Sequence, residues 1–187
     1  MFHVLEGKKV SGATVLYALV SPETYREMTE KSHIDFSSNH SNQHFKSMLQ
    51  QGAYIPSIVL GINHSVDEIL YDIDKTKCLV LNGLTRNQVI HETKTCHQDT
   101  VLMLEILLTQ NTDYLVQQFL YFNQHYDDVD LIEMVLTTFL PKDSSFKPYN
   151  VRQLAALYAV FLKDKGIPMS MILDKYDDFL SYLKTIR

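Results

Sequence analysis

The sequence is poor in cysteine, glycine, proline and positive charge, and each shortage removes a class of protein. Two cysteines, Cys78 and Cys96, are too few for a disulfide framework and are expected to be free. No Cys-x-x-Cys and no His-Glu-x-x-His motif occurs, and the eight histidines are scattered. Six glycines and five prolines in 187 residues leave little material for long linkers or low-complexity tracts. No apolar run is long enough to span a bilayer; Val101 to Leu108, among the longest, is interrupted by Glu105. The opening residues Met1-Phe2-His3-Val4-Leu5-Glu6 contain no basic region followed by an apolar one. No secretory signal and no membrane partner are therefore expected, and the expected location is cytoplasmic. Lys and Arg number 17 against 22 Asp and Glu, a net charge of −5. That balance argues against broad DNA binding, which draws its affinity from neutralising phosphates, although a local basic groove is compatible with it.

What is present suits a globular protein. Hydrophobic residues make up 45% and charged residues 21% of the chain, enough for one domain with a sizeable core. The short, β-branched and apolar runs Val15–Val20, Ile58–Ile62, Glu68–Ile73 and Cys78–Leu81 predict strands, with a hairpin turn over Asp74–Lys77. Thr100–Leu107 predicts a further buried strand, although its length also permits a helix. Ser21-Pro22 opens a helix, Ile34–Asn42 reads as a loop, and Gln43–Gln50 is a second helix stopped by Gly52. After residue 110 the pattern turns helical: Asp113–Tyr121, Leu131–Leu140 between Asp130 as N-cap and Pro141 as stop, Val151–Lys165 capped by Asn150, and Met171–Ile186 capped by Ser170. The expectation is a single α/β (α+β) domain over 1–187, with a mixed sheet and flanking helices over 1–110 and a helical subdomain over 111–187.

The most informative stretch is Asn82-Gly83-Leu84-Thr85-Arg86, where a strand runs into a helix. A glycine there permits a tight turn and close backbone approach. The helix start offers free N–H groups to an anion, Thr85 a hydroxyl, and Arg86 a bidentate contact to phosphate. Spacing alone favours the plainer reading, a bare turn at Gly83 and a solvated arginine in the first helical turn.

Three motifs in order resemble the DGQHR-domain family. An Asp-Gly-Gln-His-Arg-like stretch follows a strand and opens a helix at 82–86. Tyr54-Ile55-Pro56-Ser57-Ile58-Val59-Leu60 is similar to the family's upstream segment, and Gln118-Phe119-Leu120-Tyr121-Phe122-Asn123 to its downstream one. The resemblance covers residues 43–140 and implies a ParB/sulfiredoxin-like fold. It also implies a place among DndB-like accessory or regulatory proteins of DNA modification and phage defence. Related proteins bind nucleotides at the corresponding Gly-x-x-Arg turn, so Asn82, Gly83, Thr85, Arg86 and Asn123 are the implied phosphate- or nucleic-acid-binding residues. Only Gly83 and Arg86 match the signature. With Asn82 for Asp, Leu84 for Gln and Thr85 for His, the turn has no carboxylate or imidazole, so no catalytic residue is assigned and no hydrolysis is expected.

Other clusters have plain readings. His91, Cys96 and His97, with His64 or Asp99, are either part of a metal site or a polar helix end, and the latter is preferred, so neither metal nor cofactor is expected. Asp127, Asp128, Asp130 and Glu133 suit a helix N-terminus better than a cation site. Tyr158, Phe161 and Leu162, and Tyr176, Phe179, Leu180 and Leu183, recur at helical spacing as core faces. Three functions follow in order. The first is a regulatory protein binding DNA or nucleotide. The second is a phage- or mobile-element-type protein-binding antagonist or adaptor, which would meet its partner through an acidic surface or the C-terminal helices. The third is a nucleotide-binding enzyme.

Overall fold

The computed structural model describes residues 1–30, 40–52, 55–64, 73, 76–140 and 149–185. The chain divides into two compact units, Met1–Leu115 and Val116–Arg187. The first is the mixed α/β part. Its strands are β1 (Phe2–Val10), β2 (Ala13–Val20), β3 (Ile55–Ile62), β4 (Leu79–Asn82) and β5 (Leu102–Leu108). They form one five-stranded sheet in the order β1-β2-β5-β3-β4. The β5–β3 pair is parallel and the others are antiparallel.

Period-two alternation decides which face is buried. Along β2, Leu16, Ala18 and Val20 are buried while Val15, Tyr17 and Leu19 are half-buried. The ladder sets Leu16, Ala18 and Val20 beside Ile106, Leu104 and Leu102 of β5, all buried. Ile58, Leu60 and Ile62 of β3 continue the same face through their pairing with Leu104, Ile106 and Leu108. Helices α1 (Pro22–Met28), α2 (His40–Gln51) and α3 (Leu84–Glu92) add Tyr25, Met28, Leu49 and Ile90, each fully buried. Both α1 and α2 pack against α3.

β1 was not expected. Its polar Glu6-Gly7-Lys8-Lys9 stretch hides the strand, because both faces of it are exposed and no alternation is needed. The signal was the turn: Val10 pairs with Ala13 across Ser11-Gly12, with Gly12 at φ 85, a two-residue hairpin loop. The strands expected at Val15–Val20, Ile58–Ile62, Cys78–Leu81 and Thr100–Leu107 are present as β2, β3, β4 and β5. All but Ile73 of the strand expected over 68–73 lies outside the described residues. So do positions 34–39 of the expected loop, Tyr54, positions 74–75 of the turn and the stop at Pro141; positions 40–42 of that loop instead belong to α2, which starts at His40 and not at Gln43.

The second unit holds the rest of α4 (Thr112–Asn123), which crosses the boundary, with α5 (Asp128–Phe139), α6 (Val151–Asp164) and α7 (Tyr176–Thr185). Two helix starts differ from expectation. α5 is capped by Asp127, not Asp130: the Asp130 amide donates to Asp127 Oδ1 at 2.9 Å, so the helix extends back to the earlier carboxylate. The last helix does not start at Ser170. Met169–Met171 is a 3-10 turn, and α7 begins at Tyr176. The Ile172 carbonyl accepts from the buried Tyr158 hydroxyl, and the Tyr176 amide donates to Leu173 O instead. Tyr158 also stacks on Phe179 with ring centroids 4.3 Å apart. That aromatic core, with Phe161, Leu162 and Leu183 buried beside it, is the one expected from helical spacing, although Leu180 is only half-buried. α6 carries a reciprocal cap: Gln153 N donates to Asn150 Oδ1 at 2.9 Å, and Asn150 N to Gln153 Oε1 at 3.0 Å.

Both cysteines are free; Cys78 is buried and Cys96 half-buried. Burial pushes the Cys78 thiol from 9.0 up to about 12. A thiol raised in this way keeps its proton in the folded state and loses it on unfolding. Its contribution to stability is intact below pH 9.0 and is lost as pH rises through that value towards about 12. Urea unfolding across pH 7 to 11 should therefore show alkaline destabilisation that is shallower in Cys78→Ala; equal slopes would rule out this assignment. In the second unit, Asn150→Ala should cost about 1 kcal/mol in the same assay, the usual value of an N-cap, with the larger part recovered by Asn150→Asp.

Candidate functional site: the β4–α3 turn

β4 ends at Asn82, and Gly83 turns the chain into α3 at φ 90 and ψ 30, with no side-chain cap. Two constraints require glycine. The left-handed backbone is strained for any other residue. A Cβ there would also lie 3.2 Å from Arg86 Nε and 3.3 Å from both Arg86 Nη2 and Ile58 Cγ2. The guanidinium is thus folded back over the glycine. From there Nη1 donates to Pro56 O at 2.9 Å and to Ser57 O at 2.7 Å.

Those carbonyls need a donor. β3 pairs with β5 at Ile55–Leu102 and again at Ile58–Leu104, with a register shift between them. Pairing with β4 starts only at Val59–Asn82. Pro56 and Ser57 therefore sit in the irregular start of β3, and Arg86 satisfies backbone that the ladders miss. Burial lowers the Arg86 pKa from its ordinary value, with Tyr25 acting in the opposite direction. Arg86 is neither a solvated side chain nor wholly available to a ligand: it closes the joint with one nitrogen, while Nε and Nη2 lie over the turn.

The rest of α3 is anchored by α1. Tyr25 donates its hydroxyl to Asn87 Oδ1 at 2.9 Å, and Asn87 Nδ2 donates to Glu30 O at 3.0 Å. Asn87 is 1% exposed, so both ends of its amide are used inside the protein. At the other end of α3, Arg26 Nε donates to Ile90 O at 2.8 Å and Nη2 to Thr93 O at 2.6 Å, a cationic cap on the helix C-terminus. At the N-terminus, among the described residues, no side chain caps the helix. Its first N–H groups have no intrahelical acceptor, and Thr85 stands half-buried beside them. Sequence reasoning passed over Tyr25, Arg26 and Asn87. Only Asn87 left a trace, as a weak helix former inside a helix.

Asn123, the remaining residue implied for the site, lies in the second unit. It is buried, and its Nδ2 donates to Phe119 O at 2.7 Å in the last turn of α4. The histidine–cysteine cluster is split among separate partners. His91 Nε2 lies 3.0 Å from Thr29 Oγ1, Cys96 Sγ accepts from Arg26 Nη2 at 3.4 Å, and His97 Nδ1 lies 3.7 Å from Asp99 Oδ2. Among the described residues no group of three or more His, Cys, Asp or Glu is placed to hold a metal ion. Of the acidic cluster, Asp127 caps α5, while Asp130 and Glu133 accept from Arg152 Nη1 of α6 at 2.9 and 2.8 Å. Glu105, noted in the sequence only as an interruption, accepts from the Ser57 hydroxyl at 2.9 Å, cross-strand from Tyr17.

Chemically, the turn can hold an anion. Its own residues offer amide N–H groups, a hydroxyl and the Nε and Nη2 side of a guanidinium that lies over Gly83. Burial pushes the Tyr25 phenol, close to Arg86, well above its ordinary value, so it stays protonated and cannot accept a proton at neutral pH. In comparison with known proteins, no family model, no curated protein and no solved structure matches the chain.

The geometry makes Gly83 and Arg86 structural, and stability measures this directly. Arg86→Ala should lower the unfolding free energy by about 1.5–3 kcal/mol, the range for hydrogen bonds to a charged group. Arg86→Lys should recover only part, because an ammonium lacks the planar fork. Gly83→Ala should destabilise by more than about 1 kcal/mol, since alanine at positive φ is strained. An Arg86→Ala protein as stable as the wild type would show that the Pro56 and Ser57 carbonyls need no such donor.

Proposed function

We propose that this protein works by binding and not by turnover, as a DGQHR-like accessory or regulatory protein of DNA modification or phage defence. Its ligand is anionic, a nucleotide or nucleic-acid phosphate, and docks at the Gly83–Arg86 turn with Asn82 and Thr85 at the rim. The ParB/sulfiredoxin-like relationship belongs to the same proposal. One observation carries it: α3 begins at a left-handed glycine with no side-chain cap, beneath a guanidinium whose Nε and Nη2 edge faces that glycine. Free helix N–H groups, the positive end of the helix dipole and a fixed cation converge there. The absence of carboxylate, imidazole and thiol from residues 82–86 supports binding without chemistry.

A second reading rests on its own observation. Arg86 already gives Nη1 to two β3 carbonyls. A turn kept for that purpose suits a protein that has retained the fold and acts as a protein-binding antagonist or adaptor. The net charge of −5 suits such a role, since an acidic surface can occupy a nucleic-acid-binding groove.

Thr85→Glu separates these readings without disturbing the joint. An acidic residue in the first turn of a helix is favourable to folding, yet it repels an anion docked at the same amides. In a titration with a fluorescent single-stranded oligonucleotide and with a nucleoside triphosphate, the wild type should bind more weakly as salt rises. Thr85→Glu should lose at least tenfold in affinity, about 1.4 kcal/mol, at unchanged thermal stability. Equal affinities for the two proteins would remove the turn as a site and leave the protein-binding reading.

A further inference from the structure

We propose that β1 is a self-association edge: it pairs antiparallel with β1 of a second copy of this chain, about a two-fold axis at Gly7, joining two sheets into one. The inference does not depend on the β4–α3 turn. β1 is an outer strand of the sheet, hydrogen-bonded to β2 alone among the described strands. Every residue from His3 to Val10 is exposed, including Val4 at 40%, Leu5 at 51% and Val10 at 38%. A nine-residue strand with one free edge and exposed apolar side chains is a template for another strand.

The pattern of charge selects the partner. Glu6 pairs with Tyr17 and Lys8 with Val15, so Glu6 and Lys8 share one face of the sheet, while Gly7 and Lys9 share the other. The register shift between Val4 and Glu6 confines regular pairing to residues 6–10. Two copies related by a two-fold axis perpendicular to the sheet keep their faces continuous. Facing residues must then have the same parity, and one residue must face its own equivalent across the axis. An axis at Glu6 sets Glu6 against Glu6. An axis at Lys8 or Lys9 sets like ammonium groups against each other. An axis at Gly7 sets each Glu6 opposite the Lys8 of the other copy, twice, with no side chain at the centre. It also brings Val10 of each copy towards Val4 and Leu5 of the other. Unlike charges directly opposite stabilise a strand pair, and like charges destabilise it. Lysines and a bulge on an edge normally deter indiscriminate pairing, and here the two-fold register is one that turns Lys8 into an attraction. The regular segment is short, so the dimer is weak and salt-sensitive.

The test is sedimentation equilibrium of the full chain over a concentration series. Wild type should move from monomer to dimer as concentration rises and return towards monomer at high salt. Glu6→Lys alone and Lys8→Glu alone should each stay monomeric, because each places like charges opposite. An equimolar mixture of these two variants should associate, since every ammonium of the first then faces a carboxylate of the second. Circular dichroism confirms that each variant is folded. A wild type that is monomeric throughout overturns the proposal and leaves the edge to a strand of another protein. Association unaffected by either single change, or variants that fail to associate on mixing, also overturns it, because the contact would then lie elsewhere or in another register.

Discussion

The first unit depends on a guanidinium that supplies donors to backbone the sheet cannot reach. β3 enters between β5 and β4 through an irregular stretch, and the Pro56 and Ser57 carbonyls fall outside the regular ladder. Arg86 reaches them only because Gly83 has no side chain and takes a left-handed conformation beneath it. The same bend starts α3, whose position is then held by the Tyr25–Asn87 hydrogen bond and the Arg26 cap. One glycine and one arginine thus settle the strand's exit and the helix's start. Structure and candidate site are coupled here, so a change at Arg86 alters the joint itself, whereas Thr85 takes no part in the hydrogen bonds to Pro56 and Ser57.

The second unit stands on different interactions. Its helices are started by side-chain caps at Asp127 and Asn150 and joined by Arg152 between α5 and α6. An aromatic core around Tyr158 and Phe179 fills it. Its most acidic stretch is occupied in capping and ion pairing, so that cluster is explained without a cation. Among the described residues no helix is long and apolar enough to cross a membrane.

Local rules were legible where one residue does one job. The Ser21-Pro22 start, the Asn150 cap and the glycine stop at Gly52 each depend on neighbours in sequence. Buried strands were legible because apolar runs must be covered. β1 was not, since a strand exposed on both faces leaves no hydrophobic period. The start of α7 was hidden for another reason: the Tyr158 hydroxyl takes the Ile172 carbonyl, a contact between residues distant in sequence. At the turn, Gly-x-x-Arg was visible as a pattern, but its structural use was not. The need for Arg86 arises from Pro56 and Ser57, some thirty positions upstream, and from a register shift that no local pattern encodes. Asn87 was likewise visible only as an odd residue in a helix, because its partner Tyr25 comes from α1.

The central claim is that the N-terminal end of α3, shaped by Gly83 and Arg86, is where an anion docks. Amide chemical shifts recorded during titration with a short single-stranded oligonucleotide test it most directly, because they report position as well as affinity. The account predicts saturable shifts centred on the amides of Gly83, Leu84, Thr85 and Arg86, with the Arg86 side-chain Nε resonance moving in step. Shifts centred on another surface, or none at saturating ligand, would contradict it.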